Sequence, residues 1–538
     1  MRTGFVRLVT VSGALAFGLQ GANAQDAGTA TEDLPAIDVV QEAPAKKAAR
    51  AKKRAVAVSP LSSSTPSEPA PAAPATAAGI PADMTGDALE TPLPTVPSAV
   101  TTVSDTEIER EGTGSVQQAL QQQVPGIIIS DAAGNPMRAE ISYRGFDASP
   151  VSGRSQGVAV YQNGVRINEA FGDTVQWDVL PSNAIASMSV VSNNPSFGLN
   201  ALGGAMSILM KDGFSYQGAE VDVMAGSFGR RQVGVQAGQS SGNAGVYVAG
   251  EWGKEDGFRD FSDSEVRRFY GDVGLKGSQT ELHFSLTAAD NHFGATAAAP
   301  VELLDRSWSN TFTSPQTTDL EVLMPTISGS VKATDTLTFS GVGYYRRYKN
   351  RVVDGNVTEI EECEDTPGFL CLEEEDDEEL VEDANGNPIP VGAVDDPLGS
   401  IERLNTDSWS WGGGLEAKEK SPLFGRPNQL IVGASYDHGR SKYRTSSELG
   451  TIQPKYVVDG SGIVVEEPDD VAPRNLLTEN TYWGFYFSNA LDVTDRLTVT
   501  VGGRYNHATI KMEDRTGNFE ELNTTNKYDR FNPKAGAD

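Results

Sequence analysis

The chain has 538 residues, with 43 Lys and Arg against 73 Asp and Glu, a formal charge of −30. Such an acid excess excludes a chain that wraps nucleic acid, where basic patches dominate affinity. Only two cysteines are present, which excludes a disulfide-dense scaffold and a cysteine-rich zinc protein. No run of eighteen apolar residues follows the N-terminus, which excludes a polytopic helical membrane protein. A hydrophobic share of 38% leaves a membrane β-barrel open, because barrel strands show lipid only every second residue.

In chain order, Arg2 and Arg7 precede an apolar stretch from Leu8 to Leu19, and Ala22-Asn23-Ala24 is an A-x-A cleavage site. Residues 1–24 therefore read as a secretory signal peptide, cleaved near Ala24. Residues 25–91 are rich in Ala, Pro, Ser and Thr and carry a basic cluster, Lys46 to Arg54. They offer too little apolar surface to offset ordering entropy and predict a disordered tether. The cluster brushes peptidoglycan or anionic lipid, or simply keeps the linker soluble. One island differs: Leu34, Pro35, Ala36, Ile37, Asp38, Val39 and Val40. Its β-branched residues suit a short strand added to the sheet edge of another protein.

Residues 92–216 predict a small mixed α/β domain. Val100–Val103 reads as a strand, Ser104-Asp105-Thr106-Glu107 as a capping box, and Ser115 as the cap of a second helix ended by Pro125-Gly126. Strand candidates follow at Ile127–Ser130, Ala139–Tyr143, Val158–Tyr161, Met188–Val191 and Ala205–Met210.

Across 217–538 the pattern becomes strict alternation. Val233, Val235 and Ala237 oppose Gln232, Gly234 and Gln236; Leu497, Val499 and Val501 oppose Arg496, Thr498 and Thr500. About twelve strands of roughly 8–11 residues fit this template, a bilayer-spanning length. Short connectors (277–279, 333–335, 492–495) alternate with long ones (253–267, 291–320, 347–405, 439–479). Long turns on one side and tight turns on the other predict a membrane barrel. The fold class is thus mostly β: a disordered tether, a small α/β domain and about half of a large antiparallel transmembrane barrel.

Three segments of the α/β domain carry a family resemblance. Glu140-Ile141-Ser142-Tyr143-Arg144-Gly145-Phe146 ends a strand in Arg-Gly-Phe, and Val158-Ala159-Val160-Tyr161-Gln162-Asn163-Gly164-Val165-Arg166 is a strand and turn. The run from Pro195 to Ile208 contains Phe197-Gly198 and Gly203-Gly204. In this order, between a signal peptide and a barrel, the chain resembles a TonB-dependent outer-membrane receptor of the siderophore-receptor type. Asn163 stands where Asp is usual and Phe197 where Tyr is usual. The resemblance implies that 92–216 is a plug, with Arg144, Gly145, Gly164, Arg166, Gly198, Gly203 and Gly204 as its motif residues. It implies that Leu34–Val40 is the TonB box, which binds TonB of an inner-membrane energy-transducing complex. It further implies outer-membrane lipid around the barrel and a metal-chelate ligand, a ferric siderophore or other iron chelate by the family's usual cargo. A cobalamin or another metal complex is the alternative, and a passive porin or structural barrel is the different class. No signalling domain is expected before Leu34. Arg144 and Arg166 are expected to pair with acids of the barrel wall, or else to touch substrate. A plugged barrel takes about 22 strands, so the chain is expected to stop short of its last strands.

Other chemistry is sparse. Gly238-Gln239-Ser240-Ser241-Gly242 matches a nucleophile elbow, but it joins two alternating strands and predicts a hairpin turn. No enzyme, no cofactor, no metal site and no nucleic-acid partner is expected. From Glu361 to Asp383 there are thirteen acidic residues and no basic one. This run gathers cations at the mouth or is a solvated loop. It holds Cys363 and Cys371, expected to form a disulfide in an oxidising compartment, with an exposed soft-metal site as the other reading. Asp383-Ala384-Asn385-Gly386-Asn387 begins like a calcium loop, but Pro388 and Val394 stand where its turn Gly and bidentate Glu belong. Trp308, Phe312, Tyr344 and Tyr345 line a ligand site or belong to a lipid-interface girdle.

Overall fold

The computed structural model describes residues 100–537 apart from 111–115, 131–134, 136, 193, 195, 295–297, 375–376 and 467–473. The signal peptide, the tether, the Leu34–Val40 segment and the basic cluster lie outside the described residues.

The α/β part holds β1 (Val100–Ser104), α1 (Asp105–Arg110), α2 (Val116–Gln123), β2 (Ile127–Ser130), β3 (Glu140–Tyr143), β4 (Phe146–Ala148), β5 (Val158–Gln162), β6 (Val165–Arg166), β7 (Ile185–Val191) and β8 (Gly204–Met210). One sheet has the order β1-β7-β8-β5-β6 and another β2-β3-β4. The Glu107 carboxylate accepts from the Ser104 backbone N–H at 2.7 Å and from its hydroxyl at 2.9 Å. Glu107 thus makes its half of the expected capping box. Leu120, Ile141, Val158, Val160, Met206 and Ile208 are fully buried in the core of this part, each stabilising it by about 1.5–3 kcal/mol.

The remainder is built on one fourteen-stranded sheet with a small separate sheet in its lobe. Its strands are β9 (Gly218–Ala225), β10 (Arg231–Ser241), β11 (Ala244–Glu255), β12 (Ser264–Lys276), β13 (Thr280–Gly294), β14 (Gln316–Lys332) and β15 (Leu337–Val357). A lobe follows with β16 (Ile360–Glu362), β17 (Leu370–Glu374), β18 (Asp377–Leu380) and β19 (Glu382–Asp383). Then come β20 (Leu398–Glu419), β21 (Asn428–Gln453), β22 (Val457–Glu466), β23 (Asn475–Thr494), β24 (Leu497–Asp514) and β25 (Thr524–Ala537). The path β9 to β15, then β20, β21, β23, β24 and β25, is a meander of twelve strands, with β19 and β22 branching from it. β9 and β25 are the edges of the sheet, which is not closed among the described residues.

The longest connectors all leave one side. Turns 242–243, 277–279, 333–336, 420–427 and 495–496 leave one side; 226–230, 256–263, 295–315, 358–397, 454–474 and 515–523 leave the other. The expected strand lengths need correction: β15 has 21 residues, β20 has 22 and β21 has 26. Pairing continues past a bilayer's thickness on the long-loop side because an extended ladder keeps satisfying backbone N–H and C=O groups. The expected long connectors are correspondingly shorter. Gly242 (φ +58°) sits in the hairpin between β10 and β11, so the G-x-S-x-G match is a turn.

Alternation sorts the two faces. Val235, Val248, Phe269, Phe284, Val432, Phe485 and Val501 are each 40–59% exposed on one face. The other face carries buried polar groups such as Asn291, Arg346, Ser441 and Arg504 and packs on the α/β part. No helix among the described residues is long and apolar enough to cross a membrane, which says nothing of strands.

Candidate functional site

The α/β part is held on the wet face of the large sheet by side chains of both. Two of its motifs are tight turns. Arg144 (φ 52°) and Gly145 (φ 82°) close the β3–β4 hairpin; Asn163 (φ 46°) and Gly164 (φ 82°) close β5–β6. Two consecutive positive φ angles form the turn that suits hairpin twist, for which Asn-Gly is the preferred pair. Asn163 does more than turn the chain. Its Oδ1 accepts from the Met210 N–H at 2.9 Å, and its Nδ2 donates to the Tyr270 hydroxyl at 3.1 Å. An Asp there has no N–H to offer Tyr270.

The glycine motif serves close approach. A Cβ on Gly198 would lie 2.2 Å from Arg504 Nε, and one on Gly203 2.6 Å from the Phe146 ring. Gly204 has φ +147°, and its Cβ would lie 2.9 Å from the Val191 carbonyl oxygen. Phe197 packs its ring 5.1 Å from that of Tyr161, whose hydroxyl meets the Gly198 backbone at 3.2 Å.

The two motif arginines depart from expectation. Arg166 makes its ion pair inside the α/β part, with Asp173 at 2.5 Å, and that carboxylate raises its pKa against the effect of burial. Asp173 also accepts from Asn200 at 2.5 Å. Arg144 is exposed at its turn, with its guanidinium 5.0 Å from the Tyr143 ring centre. Among the described residues neither pairs with an acid of the sheet. The sheet instead sends arginines inward: Arg346 donates to the Ile167 and Asn168 carbonyls at 2.8 and 2.9 Å and lies 3.5 Å from the Glu169 carboxylate. Arg504 donates to the Ser196 carbonyl at 3.2 Å. Further contacts are mostly uncharged: Gln162 to Thr287 at 2.8 Å, Gln176 to Tyr348 at 3.3 Å, and Asn291 to the Asp178 carbonyl at 2.8 Å.

The segment around Glu169 is fastened at several points. Ala170 accepts from Asn480, a Cβ on Gly439 would lie 2.5 Å from that of Ala170, and Phe171 stacks on Tyr443 at 4.8 Å. Burial pushes the Glu169 carboxyl up to about 7; Arg346 opposes the rise and Asp173 adds to it. Arg346, Arg504, Glu169 and Asp173 were not identified in the sequence. The lumen-facing parity of Arg346 in its alternating strand was the available signal.

Around the mouth, the acidic loop is folded. β16, β17 and β18 form a small sheet over an apolar cluster of Ile360, Leu370, Val381, Ile389 and Val394 with Leu449 and Val465. Cys363 and Cys371 are bonded, with Cα atoms 5.0 Å apart and both residues buried. Mass mapping without reductant should recover the Cys363–Cys371 linked peptide; two freely alkylated thiols in protein taken from its membrane would contradict it. The half-buried Asp383 carboxylate accepts the Asn387 and Asn385 N–H groups at 3.0 and 2.8 Å, which holds its pKa below the usual range. This is a turn closed on its own backbone. Among the described residues, no group of three or more His, Cys, Asp or Glu is arranged to hold a metal ion. Of the four aromatic candidates, Tyr344 faces inward and donates to Asp437 at 2.8 Å, whereas Tyr345 is 44% exposed on the apolar face. Trp308 stands exposed on a connector, and Phe312 packs on Tyr456.

Comparison with known proteins agrees with this architecture. Residues 92–205 match the TonB-dependent Receptor Plug Domain, and residues 232–538 match the TonB dependent receptor-like beta-barrel. The vitamin B12 transporter BtuB of Vibrio vulnificus is 29% identical over 191 residues, 35% of this chain and 30% of that protein. The ferric-catecholate import receptor Fiu of E. coli K12, closed form, superposes with a TM-score of 0.61 at 15% identity, over 82% of this chain and 63% of that one. The ferripyoverdine receptor of the Pseudomonas aeruginosa outer membrane gives 0.59 at 14%, over 82% and 55%. The chain thus spans less than two thirds of the length of these relatives. With one family description covering the plug and another covering more than half of the sequence as barrel, the chain belongs to the TonB-dependent receptor family.

Proposed function

We propose that this protein takes part in TonB-dependent, energy-coupled import of a scarce nutrient across the outer membrane, and that the nutrient is a ferric siderophore or another iron chelate. The observation that carries the reading is the plug, hydrogen-bonded to the wet face of a sheet whose other face is apolar and exposed. A passive porin has no use for such a plug. The solved neighbours named for ferric-catecholate and ferripyoverdine favour iron; the vitamin B12 transporter favours a cobalamin as the second cargo. Nothing in this reading calls for catalysis. The protein reaches the membrane after cleavage near Ala24, and residues 25–91, 92–216 and 217–538 serve as tether, plug and barrel. Growth of a deletion strain on ferric chelates and on cobalamin, across iron levels, separates the cargoes. Equal growth of deletion and parent on every chelate would overturn the iron assignment.

The energy input enters through Leu34–Val40, paired as an added strand with TonB. Proline at Ile37 removes a backbone donor and distorts such a strand. Ile37→Pro should abolish uptake while leaving ligand binding at the cell surface unchanged, measured with labelled chelate on energised cells. Uptake at the parent rate would exclude this segment as the coupling strand.

A further inference from the structure

The outer face of the sheet carries a basic cleft that lies apart from the contacts between plug and sheet. On β21, Ser441 is fully buried and Tyr443 stacks on the plug, so both face the lumen. The two-residue period then turns Arg440, Lys442 and Arg444 outward. Below them on the same outer face, Val432 and Tyr436 are 48% and 38% exposed; Tyr436 packs on Trp411 and His438 on Trp409, with ring centres 5.2 and 5.5 Å apart. An aromatic belt of this kind marks the boundary between hydrocarbon and headgroups. Arg440 stands at its edge, opposite Trp409, and Lys442 and Arg444 stand beyond it, toward the side from which the long connectors leave.

With Leu477 and Arg515 they line a cleft of about 300 Å³. The nearby acids leave a surplus of positive charge. Glu479 lies 3.4 Å from Arg440 and Glu513 lies 3.1 Å from Arg515. Asp407, opposite Lys442 across the ladder, is held by Arg347 at 2.7 Å. Lys442 and Arg444 are exposed and make no ion pair among the described residues. Elsewhere on this rim several cations are matched: Arg267 and Lys254 share Glu265 at 2.6 and 3.7 Å, and Lys349 takes Glu321 at 2.6 Å; the exposed Arg351 stands in the same ladder row as Arg444 and extends the positive patch. In a chain of charge −30, two adjacent cations at a headgroup level, unmatched among the described residues, select a multiply charged anion.

We propose that Arg440, Lys442, Arg444 and Arg515 bind the phosphate groups of a lipid headgroup in the leaflet on the long-loop side, with the acyl chains lying along the apolar face below. Arginine forks match phosphate oxygens bidentately, and Lys442 adds a point charge. The proposal takes the apolar face as the lipid face and is independent of cargo.

The test is native mass spectrometry of the full chain extracted in neutral detergent. The probes are lipid A (an acylated disaccharide bearing two phosphates), its dephosphorylated form, and inorganic pyrophosphate. Lipid A should bind at least tenfold more tightly than the dephosphorylated form, a comparison that needs no variant. Lys442→Gln with Arg444→Gln should lower lipid A binding tenfold or more, whereas Lys254→Gln with Arg267→Gln should leave it within twofold. Equal binding of the two lipid forms, or an undiminished K442Q/R444Q protein, would overturn the site. Pyrophosphate held as tightly as lipid A would overturn its assignment to a lipid.

Discussion

Arg346→Met should unseat the plug, and the defect should deepen as the pH rises. In the parent, Arg346 reaches from the sheet to two plug carbonyls and to the carboxylate of Glu169, with both side chains buried. Removing one partner of such a pair leaves an uncompensated buried charge, at a cost of about 3–5 kcal/mol. Glu169 titrates near 7 because burial outweighs the pull of Arg346. A carboxyl whose pKa is raised in the folded state contributes stability that is complete below its unfolded value of 4.5 and is lost as the pH rises through about 7. Without Arg346 the carboxyl is held even higher, so protonation masks part of the defect in acid, and ionisation is resisted at pH 8. Protease susceptibility of the plug in urea should therefore rise far more at pH 8 than at pH 5 in the variant. The double variant with Glu169→Gln should lose most of that pH dependence. A defect of equal size at both pH values would rule out Glu169 as the titrating group.

Gly204→Ala should loosen the final plug strand. The φ of +147° at Gly204 is a conformation that side chains rarely adopt, worth about 1–3 kcal/mol by itself. The added Cβ would also press on the Val191 carbonyl at 2.9 Å, a backbone atom that cannot swing aside. Because β8 lies between β7 and β5, a shift there disturbs the centre of the sheet β1-β7-β8-β5-β6. Thermal or denaturant unfolding followed through plug proteolysis should show a loss of more than 2 kcal/mol, on the order of the strain and clash combined. Gly145→Ala is the contrast: φ is +82° but nothing lies within 4 Å, so only strain is added. If the two variants lost equal stability, the close approach at Gly204 would count for nothing.

Much of this architecture is legible in the sequence. Strict alternation and unequal connectors yielded a meander of twelve strands, because a sheet with one apolar and one wet face must repeat every two residues. Asn163-Gly164 announced its turn because few residue pairs tolerate two positive φ angles. What stayed hidden depends on partners distant in sequence. The parity of Arg346 tells which face it occupies, but not that it meets carbonyls at Ile167 and Asn168. Arg166 found its acid seven residues away in Asp173 rather than on the sheet, since a local pair needs no register between segments distant in sequence. The acidic run hid a small apolar cluster because Ile360, Leu370 and Val381 are spaced irregularly among carboxylates. The strand overrun of β15, β20 and β21 was missed for a related reason: beyond the lipid no apolar face is needed, so the pattern fades while the hydrogen bonds continue.

The uncharged contacts between plug and sheet bear on how the two come apart. Gln162, Asn163 and Gln176 each span the boundary by an amide donor to a hydroxyl, and Asn291 by one shared between the Asp178 carbonyl and carboxylate. A water molecule replaces such a partner at little cost, one contact at a time, whereas a buried ion pair must be broken whole. A load applied at one end of this seam therefore opens it as a zipper. Each step needs only the force for a single bond, and the water that enters prepares the next. Arg346 and Glu169 are the exception, the one place among these where the zipper catches.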